Sequence, residues 1–394
     1  MVQKKKDVIT LVGVGDNRPE RDDPPSIFRY CGDVLRTADI AFGQQECQFS
    51  DRGSPIFSPY GYGGVIHSPK NVSALTEKGA GFDVMSFATN AAMFYGHEAF
   101  FDTIDLLTKN GIAVVGVGKN IAAARKPVIL ERKGTKIGFL AYNSIIFPGL
   151  VAEENMPGCA PLRATHRYQQ VDYQPGTPPL IVTQLFPEDK KAMEEDIRKL
   201  RPQVDVLVVA MHCGVHFVPA VIAMYQREAA YAAVDAGADL IFQVHSHILK
   251  GIEIYKGKTI FYGLGVFADE PGVPDPSHPR GGSAMYRLLD RPTSLPEFYR
   301  IKPIPGYERY HYHPDALKTM IAKAYIEDKK IQKVTYIPTY ITPNAEPEVV
   351  NRKNPRAQEV FDYVKHISEE EDLNVSFSWE GDEVLVSEPG KKKK

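Results

Sequence analysis

No run of 18 or more apolar residues occurs in this chain of 394 residues, so a transmembrane helix is not expected. Cysteine is scarce: Cys31, Cys47, Cys159 and Cys213 are scattered, with no Cys-x-x-Cys pair. That spacing argues against a disulfide framework or a zinc ribbon and for free thiols in a reducing compartment. A large excess of charge of one sign is also missing. A net charge of -2 gives no electrostatic basis for holding nucleic acid, which leaves a small molecule as the expected partner. The N-terminal Met-Val-Gln-Lys-Lys-Lys-Asp runs into a strand without an apolar signal region, so a cytoplasmic protein is expected. No internal repeat or long low-complexity linker is present, and the Lys391–Lys394 run reads as a frayed, solvated tail. Oligomeric state is not legible, and a homo-oligomer stays open.

What the chain does contain is a series of short, β-rich apolar runs: Val8–Val14, Ile40–Phe42, Val84–Phe87, Ile112–Val115, Ile137–Ala141, Val206–Met211, Leu240–Phe242 and Thr259–Phe261. Such runs read as buried strands. Helical segments are expected between them at Pro25–Arg36, Ser68–Lys78, His97–Lys109, Pro187–Lys199 and Tyr225–Asp235, and the alternation predicts an α/β layered architecture. Residues 147–187, rich in Pro, Gly and Tyr, read as an excursion over the core, either a lid or a passive insertion. Beyond residue 268 the composition turns proline-rich and aromatic, with a strand at Lys333–Ile341 and a helix near Ala357–Glu371. The expected organisation is a main domain over 1–345 and a C-terminal extension, 346–394, wrapped onto it.

The most informative feature is His245-Ser246-His247, directly after an apolar run, with His212 closing another run some thirty residues earlier. Alternate residues at a strand end can face the same way. Asp16, Glu46 and Asn90 also follow apolar runs. Nitrogen and oxygen donors converging from several strand ends are what a divalent metal requires, and the carboxyl ends of strands form the usual crevice of an α/β sheet. Each residue alone has a plainer reading: Asp16 as a turn or cap, Asn90 as a cap, Glu46 as a solvated charge, His212 as a hydrogen-bonded core histidine. Their ordered recurrence favours the metal.

These segments resemble the CapA family of poly-γ-glutamate and capsule proteins, within the calcineurin-like metallophosphatase superfamily. The resemblance runs over roughly residues 8–268, with weaker agreement to about 345. It rests on Val12-Gly-Val-Gly-Asp16, Ala38-Asp-Ile-Ala-Phe-Gly-Gln-Gln-Glu46, Gly81-Phe-Asp-Val-Met-Ser-Phe-Ala-Thr-Asn90, Val209-Ala-Met-His212-Cys-Gly and the long segment from Val234 through His245 and His247 to Gly257. It implies a four-layer α/β/β/α metallophosphatase-like sandwich. One or two divalent ions (Mn, Fe or Zn) would lie among Asp16, Glu46, Asn90, His212, His245 and His247, and hydrolysis would use a metal-activated water.

The sequence departs from the family pattern where chemistry is concerned. Ala91 stands where the family has a histidine after the asparagine, a group that would contact the phosphoryl oxygen or protonate the leaving group. Val266 replaces an asparagine, Gln44 stands where asparagine is usual, and His216 replaces a glutamate. His216 is a new ligand, an acid–base group or an uninvolved histidine; His97 is a further candidate to compensate for Ala91. With the retained ligands these changes predict a metal-dependent hydrolase of a small carboxylate, amide or ester, in which His216 or His247 moves the proton. Tyr60, Tyr62 and Tyr95 would either line its pocket or pack in the core. The alternatives are a phosphatase, phosphodiesterase or nuclease with a substitute acid, a metal-dependent lyase or decarboxylase, and a non-enzymatic accessory protein of capsule or poly-γ-glutamate biosynthesis.

Overall fold

In the computed structural model the described residues are 8–55, 66–147, 149–270, 304–307, 310 and 312–390. Tyr60, Tyr62, the lysine tail and the Pro-rich stretch from residue 271 lie outside them. The eight expected apolar runs are all strands, and they divide between two sheets. The first has ten strands: Ile9–Arg18, Ile40–Gln45, Val84–Ser86 and Ala113–Val115 run parallel and adjacent. The second has six strands, four of them parallel: Thr135–Asn143, Val206–His212, Leu240–Val244 and Lys258–Phe261. Strands covered on both faces lose the polar alternation of a half-exposed sheet. Val206–His212 is accordingly buried throughout.

The sheets pack face to face. Phe42 of the first stacks on Phe139 and Phe242 of the second, with ring centroids 5.8 and 5.7 Å away. Gly13 permits this approach, because a Cβ there would lie 2.6 Å from the Phe242 ring. Helices Pro187–Leu200 and Met224–Ala236 cover the outer face of the six-stranded sheet through Met193, Ile197, Ala229 and Ala233. The helix Gly96–Lys109 and shorter turns cover the other sheet through Leu107, Phe28, Leu35 and Leu75. The order of layers is α/β/β/α. No helix among the described residues is long and apolar enough to cross a membrane.

The C-terminal part continues the ten-stranded sheet. Lys318–Glu327 pairs antiparallel with Ile9–Arg18, Lys330–Ile341 pairs with it in turn, and Glu383–Ser387 and Ser376–Glu380 follow outward. The helix Pro355–Glu370 sends Val360, Val364 and Ile367 into the core between the sheets.

Two expected helices are different. Pro25–Arg36 forms a 3₁₀ turn, Pro24–Phe28, and a five-residue helix, Gly32–Arg36; Ser68–Lys78 forms a 3₁₀ turn, Pro69–Ala74. Segments this short gain too few hydrogen bonds to repay helix nucleation. Side-chain bonds take their place, as where Asn71 donates to Glu20 at 3.0 Å.

Candidate metal centre

The parallel strands of both sheets deliver their carboxyl ends to one region. Asp16 lies near the end of the first strand, fully buried, and its N–H donates to the Gly265 carbonyl at 3.1 Å. Gly15 has to be glycine for that contact, since a Cβ would fall 1.9 Å from the Gly265 oxygen. Glu46 follows the Ile40–Gln45 strand, and His212 ends Val206–His212. Ligand atoms of Asp16, Glu46 and His212 lie within 4.8 Å of one another.

Asn90 is not the cap of its turn. Thr89 takes that position, accepting from the Ala91 N–H at 3.2 Å, which frees the Asn90 Oδ1 to meet the His212 Nε2 at 2.7 Å. The Thr89 hydroxyl donates to the Glu46 carboxylate and lies 3.3 Å from the His212 Nε2. The His245 Nδ1 is 3.0 Å from the same His212 nitrogen, and the His247 Nε2 is 3.9 Å from the Asp16 Oδ2.

One expectation about His245 and His247 is corrected. The strand ends at Val244, and strand alternation is not what orients the pair. Both residues occupy left-handed backbone conformations in the turn beyond, with φ of 98° and 56°. Non-glycine residues in that region cost of order 1 kcal/mol or more each and cluster at functional sites. His216 joins the group from a loop in which Phe217 and Ala220 are also left-handed. Its ring centroid lies 3.9 Å from that of His245 and 4.6 Å from that of His247, and the Phe217 N–H fastens the loop by donating to the Ser246 carbonyl at 3.1 Å.

His97 is elsewhere, exposed in the first turn of Gly96–Lys109, and no hydrogen bond or ion pair joins it to this group among the described residues. Tyr95 is half-buried and its N–H donates to Gln48. Val266 opens a strand paired with Asp16 and contributes only packing. Gln44 is buried and its amide donates to the Ala88 carbonyl at 3.4 Å.

The electrostatics favour a cation. Burial pushes Asp16 well above the usual carboxylate range, with like charge from Glu46 and Asp269 adding to it. Burial also raises Glu46 to about 8, against the Thr89 hydrogen bond and the Arg18 charge. Burial depresses His212, His245 and His247 well below the ordinary imidazole value, the neighbouring imidazoles adding to the effect, and brings His216 to about 4. Arg18 does not neutralise the pair. Its guanidinium is taken up by Asp269 at 2.8 Å, and Asp269 also accepts from the Tyr312 hydroxyl at 2.7 Å.

Both Asp16 oxygens, the His212 Nδ1, both His247 ring nitrogens and the His216 Nε2 are buried without a hydrogen-bond partner. Neutral imidazoles and carboxylates orphaned in this way fit the donor set of a divalent ion. Sequence reasoning missed Thr89, although a threonine just before Asn90 is a recognisable capping signal. Asp269 and Tyr312 carried no signal, because only the folded chain brings them to Arg18.

An α/β sandwich with acid and imidazole donors at the ends of its parallel strands is a metallophosphatase-like fold. The bacterial capsule synthesis protein family PGA_cap matches residues 7–271, and the chain belongs to that family. It is 29% identical over 258 residues to the PGA biosynthesis protein CapA of Bacillus subtilis (strain 168), covering 64% of this chain and 59% of that protein. It is 27% identical over 233 residues to the capsule biosynthesis protein CapA of Bacillus anthracis, covering 58% of this chain and 50% of that protein. The chain thus spans between half and three fifths of these relatives' length. A solved structure of a hypothetical protein from Thermus thermophilus aligns over 84% of this chain and 98% of its own, at 12% identity and a TM-score of 0.45.

Proposed function

We propose that this protein is a metal-dependent hydrolase of a small carboxylate, amide or ester. The observation that carries the reading is the set of buried, unpartnered donors on Asp16, His212, His216 and His247, which neighbour one another in a chain of contacts, beside an alanine, Ala91, that offers no proton. Asp16, Glu46, Asn90, His212, His245 and His247 would hold one or two divalent ions, and Mn, Fe or Zn suits such a mixed nitrogen and oxygen set. A bound ion would supply Lewis-acid polarisation of the substrate carbonyl and would lower the pKa of a water.

His216 is assigned the proton. Burial keeps its imidazole neutral at pH 7, and the backbone of His245 favours a proton on the ring, while the His216 Nε2 stays without a partner. As the water oxygen bonds to the carbonyl carbon, its proton passes to His216. The same proton moves to the leaving oxygen or nitrogen as the bond to it breaks. Thr89 fixes the Glu46 carboxylate throughout, and Arg18 stays paired with Asp269.

The test is a panel of aryl esters, anilides and an aryl phosphate offered to protein loaded with Mn, Fe or Zn. Ester or amide hydrolysis is expected, abolished by chelation and reduced about 10²- to 10⁴-fold by His216→Ala, the usual range for a lost acid–base group. Aryl phosphate as the preferred substrate would overturn the reading. Family membership and the relatives' names favour a second one, a non-enzymatic part in assembling capsule or poly-γ-glutamate. Inactivity of the metal-loaded protein on every substrate, together with retention by a polymer synthase, would favour it.

A further inference from the structure

Lys250 is fully buried, just beyond the turn that carries His245 and His247. Gly263 gives its stem room, since a Cβ there would lie 2.6 Å from the Lys250 Cγ and 2.6 Å from the Ser246 Oγ. The Lys250 N–H donates to the Gly263 carbonyl at 3.0 Å, which fixes where the side chain starts. At its far end the ammonium donates to the carbonyl of Val218, 32 residues earlier, and has no other hydrogen bond among the described residues. No carboxylate among them pairs with it. Glu371, whose charge reaches it from a distance, is committed to Arg227 at 2.6 Å. An ammonium taken out of water without a counter-ion is among the costliest groups to bury, and an apolar side chain of similar volume fills such a slot as well or better. Packing alone gives no reason for a lysine here.

What the amine touches does give one. Val218 belongs to the loop that brings the His216 ring to those of His245 and His247, at centroid distances of 3.9 and 4.6 Å. Gly214, Phe217 and Ala220 of that loop are all left-handed, with φ of 111°, 56° and 58°. Backbone bent against its preference persists only where its surroundings over-determine it. Two fastenings do so here, the Phe217 N–H on the Ser246 carbonyl and the Val218 carbonyl under Lys250, and both tie the loop to the segment that follows His245. We infer that Lys250 is a positioning residue: through the Val218 carbonyl it locks the His216 loop onto the segment that carries His245 and His247, and so sets where the His216 ring stands. It acts through His216 and carries no proton itself. The inference rests on the reading of His216 as the proton-transfer group of a hydrolase, and the experiment separates the two.

The experiment compares the metal-loaded full chain with Lys250→Met, which fills the slot with an apolar stem and removes the amine. Metal content is expected to be unchanged, and the melting temperature unchanged or higher, because a buried charge gives way to an apolar group. In hydrogen exchange the amides of residues 213–218 are expected to lose protection, while the strand Val206–His212 keeps its own. On an ester or amide that the wild type hydrolyses, kcat should fall about 10²-fold with KM unchanged, the usual loss when a reacting group is misplaced by about 1 Å. Adding Lys250→Met to His216→Ala should cost nothing further, since the lysine acts only through the histidine. Lys250→Gln keeps a donor on a shorter stem and should fall between wild type and Lys250→Met in both measurements; it carries the test should Lys250→Met not fold. Unchanged protection of residues 213–218, or losses in kcat that simply add to those of His216→Ala, overturn the proposal. Loss of that protection in a protein inactive on every substrate supports the placing of His216 by Lys250 and overturns the hydrolase reading alone.

Discussion

The His245 Nδ1 and the His212 Nε2 lie 3.0 Å apart, and Asn90 and Thr89 crowd the same His212 nitrogen at 2.7 and 3.3 Å. The His212 Nδ1, on the other side of the ring, faces the Glu46 carboxylate at 3.7 Å without a hydrogen bond. Burial holds both rings neutral, so each presents a lone pair and needs something to accept it.

Metal content follows directly from that pair. His245→Ala and His212→Ala are each expected to lower bound metal in the purified protein, measured by elemental analysis. Chelation should lower the melting temperature of the wild type, because an ion bound only to the folded state stabilises it by mass action. Unchanged metal content in His245→Ala would sink the assignment of the site.

Thr89 gives a finer test. Its hydroxyl orients Glu46 and caps the turn that carries Asn90, so Thr89→Val should weaken metal binding about 10- to 100-fold, the usual loss for a group that orients a ligand. Thr89→Ser keeps the hydroxyl and should bind as the wild type does. Equal affinities for Val and Ser variants, from competition with a chelating dye, would remove Thr89 from the site.

The close approach of the two sheets predicts a stability effect remote from the ligands. Gly13→Ala should cost about 1–3 kcal/mol, the range for overpacking a core, because its Cβ would meet the Phe242 ring at 2.6 Å. Phe242→Leu in the same chain should recover part of the loss. Urea unfolding of the two single variants and the double variant measures the coupling, and simple additivity would contradict it.

His67 sets a pH dependence. Burial, with the Arg18 charge adding to it, lowers this imidazole to about 3, so between the unfolded value near 6.5 and that figure the unfolded chain binds the proton first. The stability linked to neutral His67 is therefore complete above pH 6.5 and lost as pH falls, by about 1.4 kcal/mol per pH unit for one such group. His67→Gln should be less stable than the wild type at pH 7, and the gap should narrow at pH 6 and pH 5. A gap independent of pH would refute the linkage.

The sequence alone determined the strands and the candidate ligands. Apolar runs such as Val206–Met211 are local signals, and a donor residue just past each run marks a strand end without knowledge of its neighbours. Tertiary structure decided how those ends meet. Asp16 and His212 come from different sheets, and what brings them together is packing of the two inner faces around Phe42, Phe139 and Phe242. The left-handed turns that aim His245, His247 and the His216 loop are held by contacts such as the Phe217 bond to Ser246, between residues far apart in sequence. The pairing of Arg18 with Asp269, which leaves Asp16 and Glu46 without a cation of their own, spans 251 residues and has no local signature. Local propensity is written in neighbouring residues, whereas the charge balance of a buried site depends on what the whole fold brings beside it.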